Sequence, residues 1–171
     1  MTIAKIFSNS LIDGRPATFT VSDCQNAAML LGVDHVSPSY QEFKALFGSG
    51  RFPCDGTLGE LFLFDPAGDN GNLLIWKMNE VIKNGFKTGA ESGRKKDQKI
   101  FKLIYCGGDS GTFHLGWDPD DRNNSNEYQY YEVDFDWHVA KKMCYGLDGY
   151  LSKHWNPGWK VKPTFRAWDN G

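Results

Sequence analysis

Ile100-Phe101-Lys102-Leu103-Ile104-Tyr105, Cys106-Gly107-Gly108-Asp109-Ser110-Gly111 and Thr112-Phe113-His114-Leu115-Gly116-Trp117 are the stretch that decides the fold. Two β-prone runs on either side of a glycine-rich turn predict neighbouring antiparallel strands. Residues 118–126 read as a polar loop, and residues 128–136 as the third strand of a meander. Alternation along that strand puts Tyr131, Val133 and Phe135 on one face, expected in the core. Tyr128, Tyr130, Glu132, Asp134 and Asp136 share the other face, expected to point outward.

Working outward, residues 139–155 predict a closing helix with Ala140, Met143, Cys144, Leu147, Tyr150 and Leu151 as its inward stripe, weakened by Gly146 and Gly149. The tail from Asn156 holds two prolines, Trp159 and Trp168, and is expected to wrap the surface without regular structure. Upstream, Leu61-Phe62-Leu63-Phe64 is an apolar run suited to a buried strand. Ser37, Pro38 and Gly48 frame a helix as N-cap, first position and stop, with Tyr40, Phe43, Leu46 and Phe47 on one face. Ser22 stands three residues before Gln25, the capping-box spacing, for a helix over 23–31 that buries Ala27, Ala28, Leu30 and Leu31 and ends at Gly32. Lys5-Ile6-Phe7 and Ala17-Thr18-Phe19-Thr20-Val21 around Asp13-Gly14 predict an opening hairpin. Residues 73–86 predict a short strand turning into a helix near 79–83, and 87–99 a basic loop.

At 171 residues, 40% apolar and 15% aromatic, the chain has core material for one domain that folds without disulfides or metal. No apolar run reaches membrane-span length, and Met1 to Lys5 lacks the basic and apolar regions of a secretory signal, so a cytoplasmic protein is expected. Cys24, Cys54, Cys106 and Cys144 are widely spaced and expected to be reduced. A formal charge of −2 offers no long-range attraction to nucleic acid or anionic membrane. The charge is segregated, however: seven acids between Asp118 and Asp136 face a single Arg122, and bases gather at Arg94, Lys95, Lys96, Lys99 and Lys102.

The block from Ser37-Pro38-Ser39-Tyr40-Gln41-Glu42-Phe43-Lys44 through Gly48-Ser49-Gly50-Arg51-Phe52 resembles the SMI1/KNR4 family of the SUKH superfamily. The strand, glycine turn and strand of residues 100–115 are similar to that family's second block, and Tyr130-Tyr131-Glu132-Val133-Asp134 continues it. The resemblance covers residues 21–153 as the core, leaving the opening hairpin and the Trp-rich tail as additions. It implies a single α+β domain, a mixed or antiparallel sheet packed against helices. It further implies a non-enzymatic protein that binds and neutralises a bacterial toxin, often a nuclease, or a regulatory adaptor of the same type.

The residues expected to meet the partner are Asp118, Asp120, Asp121, Tyr128, Tyr130, Glu132, Asp134 and Asp136, because aromatic anchors beside directional charge suit a protein interface. The bland alternative is that a neighbouring element or solvent covers this face. Gly108-Asp109-Ser110-Gly111 is similar to the nucleophile segment of trypsin-like proteases, and a hydrolase using Ser110 with His114 or His138 is the rival reading. A tight turn explains the same glycines. Asp118-x-Asp120-Asp121 departs from a calcium loop at Arg122, and the four histidines lack metal spacing, so no metal or cofactor is expected. Arg94-Lys95-Lys96 has no interleaved aromatic platform and reads as a solvated run.

Overall fold

The glycine turn joins β4 (Ile104–Gly108) to β5 (Phe113–Arg122), which are antiparallel, and β6 (Tyr128–Asp134) follows as the third strand. A computed structural model of the chain describes residues 2–8, 10–53, 60–68, 73–88, 97–109, 111–136, 138–155 and 164–168. Asp109 sets the turn: its carboxylate accepts from the backbone N–H of Gly111 (3.2 Å), Thr112 (2.7 Å) and Phe113 (2.9 Å), and from the Thr112 hydroxyl. Burial opposes its charge, but these donors hold its carboxyl below the usual range. Residues 99–102 depart from the expected strand and form one helical turn that buries Ile100. Tyr105 Oη donates to the Ile100 carbonyl at 2.7 Å.

On one side β4 pairs with β3 (Glu60–Leu63) and β3 with β2 (Gly50–Pro53); on the other, β6 pairs with β7 (Ala140–Tyr145). The sheet therefore continues where a closing helix is expected: residues 140–145 are an edge strand. Gly146, at φ 75°, then turns the chain into the short helix α6 (Leu147–Tyr150), which runs on as a π turn, Leu151–Trp155. A side chain at 146 would also run into Asp148 Oδ1, 2.5 Å from the position of its Cβ. Leu147, Tyr150 and Leu151 are buried as the sequence implies.

Both ends of the chain correct the expected boundaries. Residues 3–6 are a helical turn, α1 (Ile3–Ile6), capped by Thr2, and the strand β1 (Leu11–Asp13) has no hairpin partner beside it in sequence. It pairs in parallel with β8 (Thr164–Ala167), a strand from the tail expected to be irregular, and β8 pairs on its other side with β2. Among the described residues the result is an eight-stranded sheet in the order β1-β8-β2-β3-β4-β5-β6-β7, with β1/β8 its parallel pair, and the chain is a single α+β domain. The core extends beyond residues 21–153, since Ile3, Phe7 and Phe165 are buried. Phe165 stacks into a cluster with Phe7, Phe43, Phe47 and Phe52, its ring 5.0 Å from that of Phe52. Residues 156–163 of the tail, Trp159 included, and 169–171 lie outside the described residues.

Helix α2 (Val21–Leu31) is capped two residues earlier than expected: Thr20 Oγ1 accepts from Asp23 N at 3.2 Å and Asp23 Oδ2 accepts from Thr20 N at 2.7 Å. Gly32 closes it in the left-handed region, and Ala27 and Ala28 are buried, but Leu30 is 63% exposed. Helix α3 (Pro38–Phe47) has the predicted bounds and buries Tyr40, Phe43 and Phe47, with Leu46 outward. It also buries Lys44, whose ammonium donates to Gly48 O (3.2 Å), Leu63 O (2.8 Å) and Asp65 Oδ1 (2.6 Å). Residues 75–88 form one helix, α4 (Ile75–Thr88), far longer than the segment expected. Its Asn79 side chain donates to Tyr105 O and accepts from Tyr105 N, both at 2.8 Å, standing in for a strand beside β4.

His114 and Trp117, three apart on β5, face opposite sides of the sheet. On the Trp117 side lie α1, α3 and α6, with Tyr40 ring to ring at 5.6 Å. On the His114 side α4 brings Phe86 to 5.9 Å from both Tyr105 and His114. The centre of the sheet is covered on both faces, and that decides what the acidic strand can do.

Candidate functional site

Tyr128 and Tyr130 are buried, at 2% and 0% exposure, which corrects their expected role as surface anchors. Trp117 is the reason: its ring stacks on Tyr128 (6.0 Å, 8° between planes) and lies 5.9 Å from Tyr130, while His35 stacks on Tyr128 at 4.8 Å. Tyr131 and Val133 are buried on the opposite face as expected, so β6 carries apolar packing on both sides. Asp118 is also buried and ion-paired to Lys99. Asp121 accepts from Tyr145 Oη at 2.6 Å and from Lys142 Nζ at 3.3 Å. Asp120 and Asp136 are exposed, and Glu132, Asp134 and Asp121 are half-buried.

The structure instead gathers carboxylates beside the N-terminus of α3. Glu127 accepts from Ser37 Oγ (2.5 Å), Ser39 N (2.7 Å) and Ser39 Oγ (2.9 Å), and Ser39 Oγ accepts from Leu147 N (2.6 Å). Ser37 therefore serves Glu127 rather than capping its own helix. Glu42, from the next turn of α3, accepts from Ile3 N and Ala4 N at 3.2 Å each, holding the start of α1. Glu42, Glu127 and Ser39 line a cavity of about 500 Å³ together with Asp148, Tyr145 and Asn123. Burial raises the Glu127 carboxyl above its ordinary range against the pull of the Ser37 and Ser39 donors, and the charge of Asp148 adds to the rise.

A second hollow, of about 480 Å³, lies over the end of β6, lined by Thr112, Phe113, Glu132, Asp134, Val139 and Lys141. Two of the expected interface residues thus do meet, in company the sequence does not announce. Helix α6 touches both sites, since Tyr150 Oη donates to Glu132 Oε1 at 2.9 Å while Asp148 and Gly149 line the first cavity. The exposed tyrosine of this region is Tyr145, 39% accessible. Reading residues 140–145 as a helix conceals it, and the run Ala-Lys-Lys-Met-Cys-Tyr carries no period-two pattern that would reveal the strand.

Of the residues of the hydrolase reading, the two histidines pack among aromatic rings. Ser110 lies outside the described residues, Asp109 is engaged by the turn, and the His114 ring packs against Phe135 (4.2 Å), Tyr105 (5.6 Å) and Phe86. Burial lowers the His114 imidazole to about 4. His138 packs against Phe86 at 5.2 Å. The basic run Arg94-Lys95-Lys96 also lies outside the described residues. Cys24, Cys106 and Cys144 are free; burial pushes the thiols of Cys24 and Cys144 up to about 11 and that of Cys106 further. Among the described residues no group of three His, Cys, Asp or Glu side chains is placed to hold a metal ion, and no helix is long and apolar enough to cross a membrane. No protein-family model, curated protein or solved structure matches the chain.

Proposed function

We propose that the chain is a non-enzymatic binding module of SMI1/KNR4 type, an immunity protein that docks a basic toxin, such as a nuclease, on the acidic face around α6. The observation that carries the reading is the pairing of two hollows beside one short helix, one bearing Glu42, Glu127 and Asp148 and the other Glu132 and Asp134. Carboxylates set in concave surface offer a basic catalytic groove the same charge that a nucleic-acid backbone would, and they speed encounter by steering. Tyr145 supplies at the rim the aromatic contact first expected of Tyr128 and Tyr130. Lys141 and Lys142 temper the charge, so recognition rests on the shape of the hollows as well as on net attraction.

The test is affinity capture of the protein encoded by the adjacent gene, followed by titration calorimetry of the purified pair at two salt concentrations. Binding that weakens with salt, and falls at least tenfold in a Glu132→Lys/Asp134→Lys variant, is expected. Unchanged affinity in that variant, with its fold intact by circular dichroism, removes the acidic face from the account.

A further inference from the structure

We propose that the end of α4, residues 83–88, is an acid-released latch: Phe86 closes over His114, and protonation of that imidazole frees this end while the front of the helix stays docked. Two anchors hold α4, and they differ in kind. At its front Ile75 is buried and Asn79 exchanges two hydrogen bonds with the backbone of Tyr105 on β4, an attachment indifferent to acid. At its end Phe86 is buried against two imidazoles, 5.9 Å from His114 and 5.2 Å from His138, with ring planes at 88° and 79° to its own. The sequence between gives that end little stability of its own. Gly85 lies within the helix, where glycine is a poor helix former, and a Cβ there would meet nothing within 4 Å, so packing does not require it. Lys83 and Lys87, one turn apart, carry like charge, and burial together with that repulsion depresses the Lys83 amine. Docking of Phe86 supplies what the local sequence withholds.

Protonation acts on that docking. The His114 ring meets Phe135 at 4.2 Å, Tyr105 at 5.6 Å and Phe86, and its partner across β6 is Val133. Asp109 is the anion whose charge reaches the ring, but its carboxylate is already engaged by the Gly111, Thr112 and Phe113 amides and the Thr112 hydroxyl. Tyr105 Oη is committed to the Ile100 carbonyl. Asp134 lines the hollow on the other face of the sheet, and Asp136 is exposed. His138, Lys83 and Lys87 bring no negative charge. An imidazolium at this place therefore has ring faces for company, which offset only part of its lost hydration, and it regains water when the wall that carries Phe86 opens.

The test is amide hydrogen exchange of the full chain across mildly acid pH, corrected for intrinsic rates. Residues 83–88 should open far more often than residues 78–82 of the same helix. Below the ordinary imidazole value their opening constant should rise about tenfold per pH unit, because the open form takes up a proton that the closed form refuses. His114→Phe should remove that slope, and Gly85→Ala should lower the opening constant about fivefold while leaving the slope in place. In Phe86→Ala the titration midpoint of the His114 ring, followed by NMR, should move from about 4 toward 6.5. If that variant does not fold, the exchange series on the wild type, His114→Phe and Gly85→Ala decides by itself. Exchange in residues 83–88 as slow as in 78–82, an opening constant indifferent to pH, or a slope that survives His114→Phe overturns the latch. A His114 midpoint that Phe86→Ala leaves in place overturns it as well.

Discussion

Lys44 Nζ lies 2.6 Å from Asp65 Oδ1, with both side chains sealed from solvent at 0% and 1% exposure. Every polar position of the pair is filled: the ammonium also donates to Gly48 O and Leu63 O, and Asp65 Oδ2 accepts from Ser49 Oγ at 2.6 Å. The pair ties the end of α3 to the end of β3, and burial pushes the Lys44 amine below its ordinary range. Removing one partner strands the other charge in the interior, so Lys44→Met should cost about 3–5 kcal/mol in urea unfolding. Adding Asp65→Asn to that variant should recover part of the loss. Strictly additive losses would show that the two groups are not coupled.

Gly50 predicts a second dependence. A Cβ at this position would sit 2.3 Å from Phe165 Cζ and 2.4 Å from the Arg166 carbonyl oxygen, both on β8. Backbone cannot yield there without opening the β2/β8 ladder, so Gly50→Ala should destabilise by about 1–3 kcal/mol. Hydrogen exchange at residues 164–167 should speed up with it. In a Phe165→Ala background the same substitution should cost less, since one of the two obstructing groups is gone. Unaltered exchange in β8 would refute the close approach.

His114 makes stability fall on the acid side. Its folded value of about 4 lies below the 6.5 of an ordinary imidazole, because the ring is buried among Phe86, Tyr105 and Phe135. Between those values the unfolded chain binds a proton that the folded chain refuses, so the contribution is complete above pH 6.5 and disappears as pH falls toward 4. The loss is about 3 kcal/mol at the acid limit. His114→Phe, which keeps an aromatic ring in the cluster, should flatten this part of the curve of unfolding free energy against pH. A variant curve parallel to the wild type between pH 7 and 4 would exclude His114 as the source.

These dependencies show where sequence reasoning reaches. The α+β class, the bounds of α3 and the β4-β5-β6 meander follow from local signals, since proline, glycine and period-two patterns act on the residues beside them. The position of β8 does not, because its partners in β1 and β2 are more than a hundred residues away and no local pattern encodes that pairing. The face of β6 failed for a related reason. Alternation separates two faces but cannot say that helices cover both, as Tyr40 of α3 does over Trp117 and Phe86 of α4 does over His114. Glu132 and Asp134 were legible as candidates from their charge. Glu127, Glu42 and Asp148 were not, since they meet through the fold from three distant segments.

Glu127 provides the test of that meeting. Its carboxyl is raised above the ordinary 4.5, chiefly by burial, although Ser37 and Ser39 donate to it. A raised carboxyl means that the folded chain holds the proton more tightly than the unfolded one. Its stabilising contribution is therefore present below pH 4.5 and is lost as pH rises through the folded value, the reverse of His114. Glu127→Gln keeps an acceptor for Ser39 N and carries no charge to desolvate. The stability of the wild type minus that of this variant should accordingly decline as pH is raised from 4 to 7. Carbon-13 titration of the side-chain carboxyl should place its midpoint above 4.5. A midpoint at or below 4.5, or a difference that grows with pH, would mean that the serine donors outweigh burial at Glu127, leaving Asp148 no rise to contribute to.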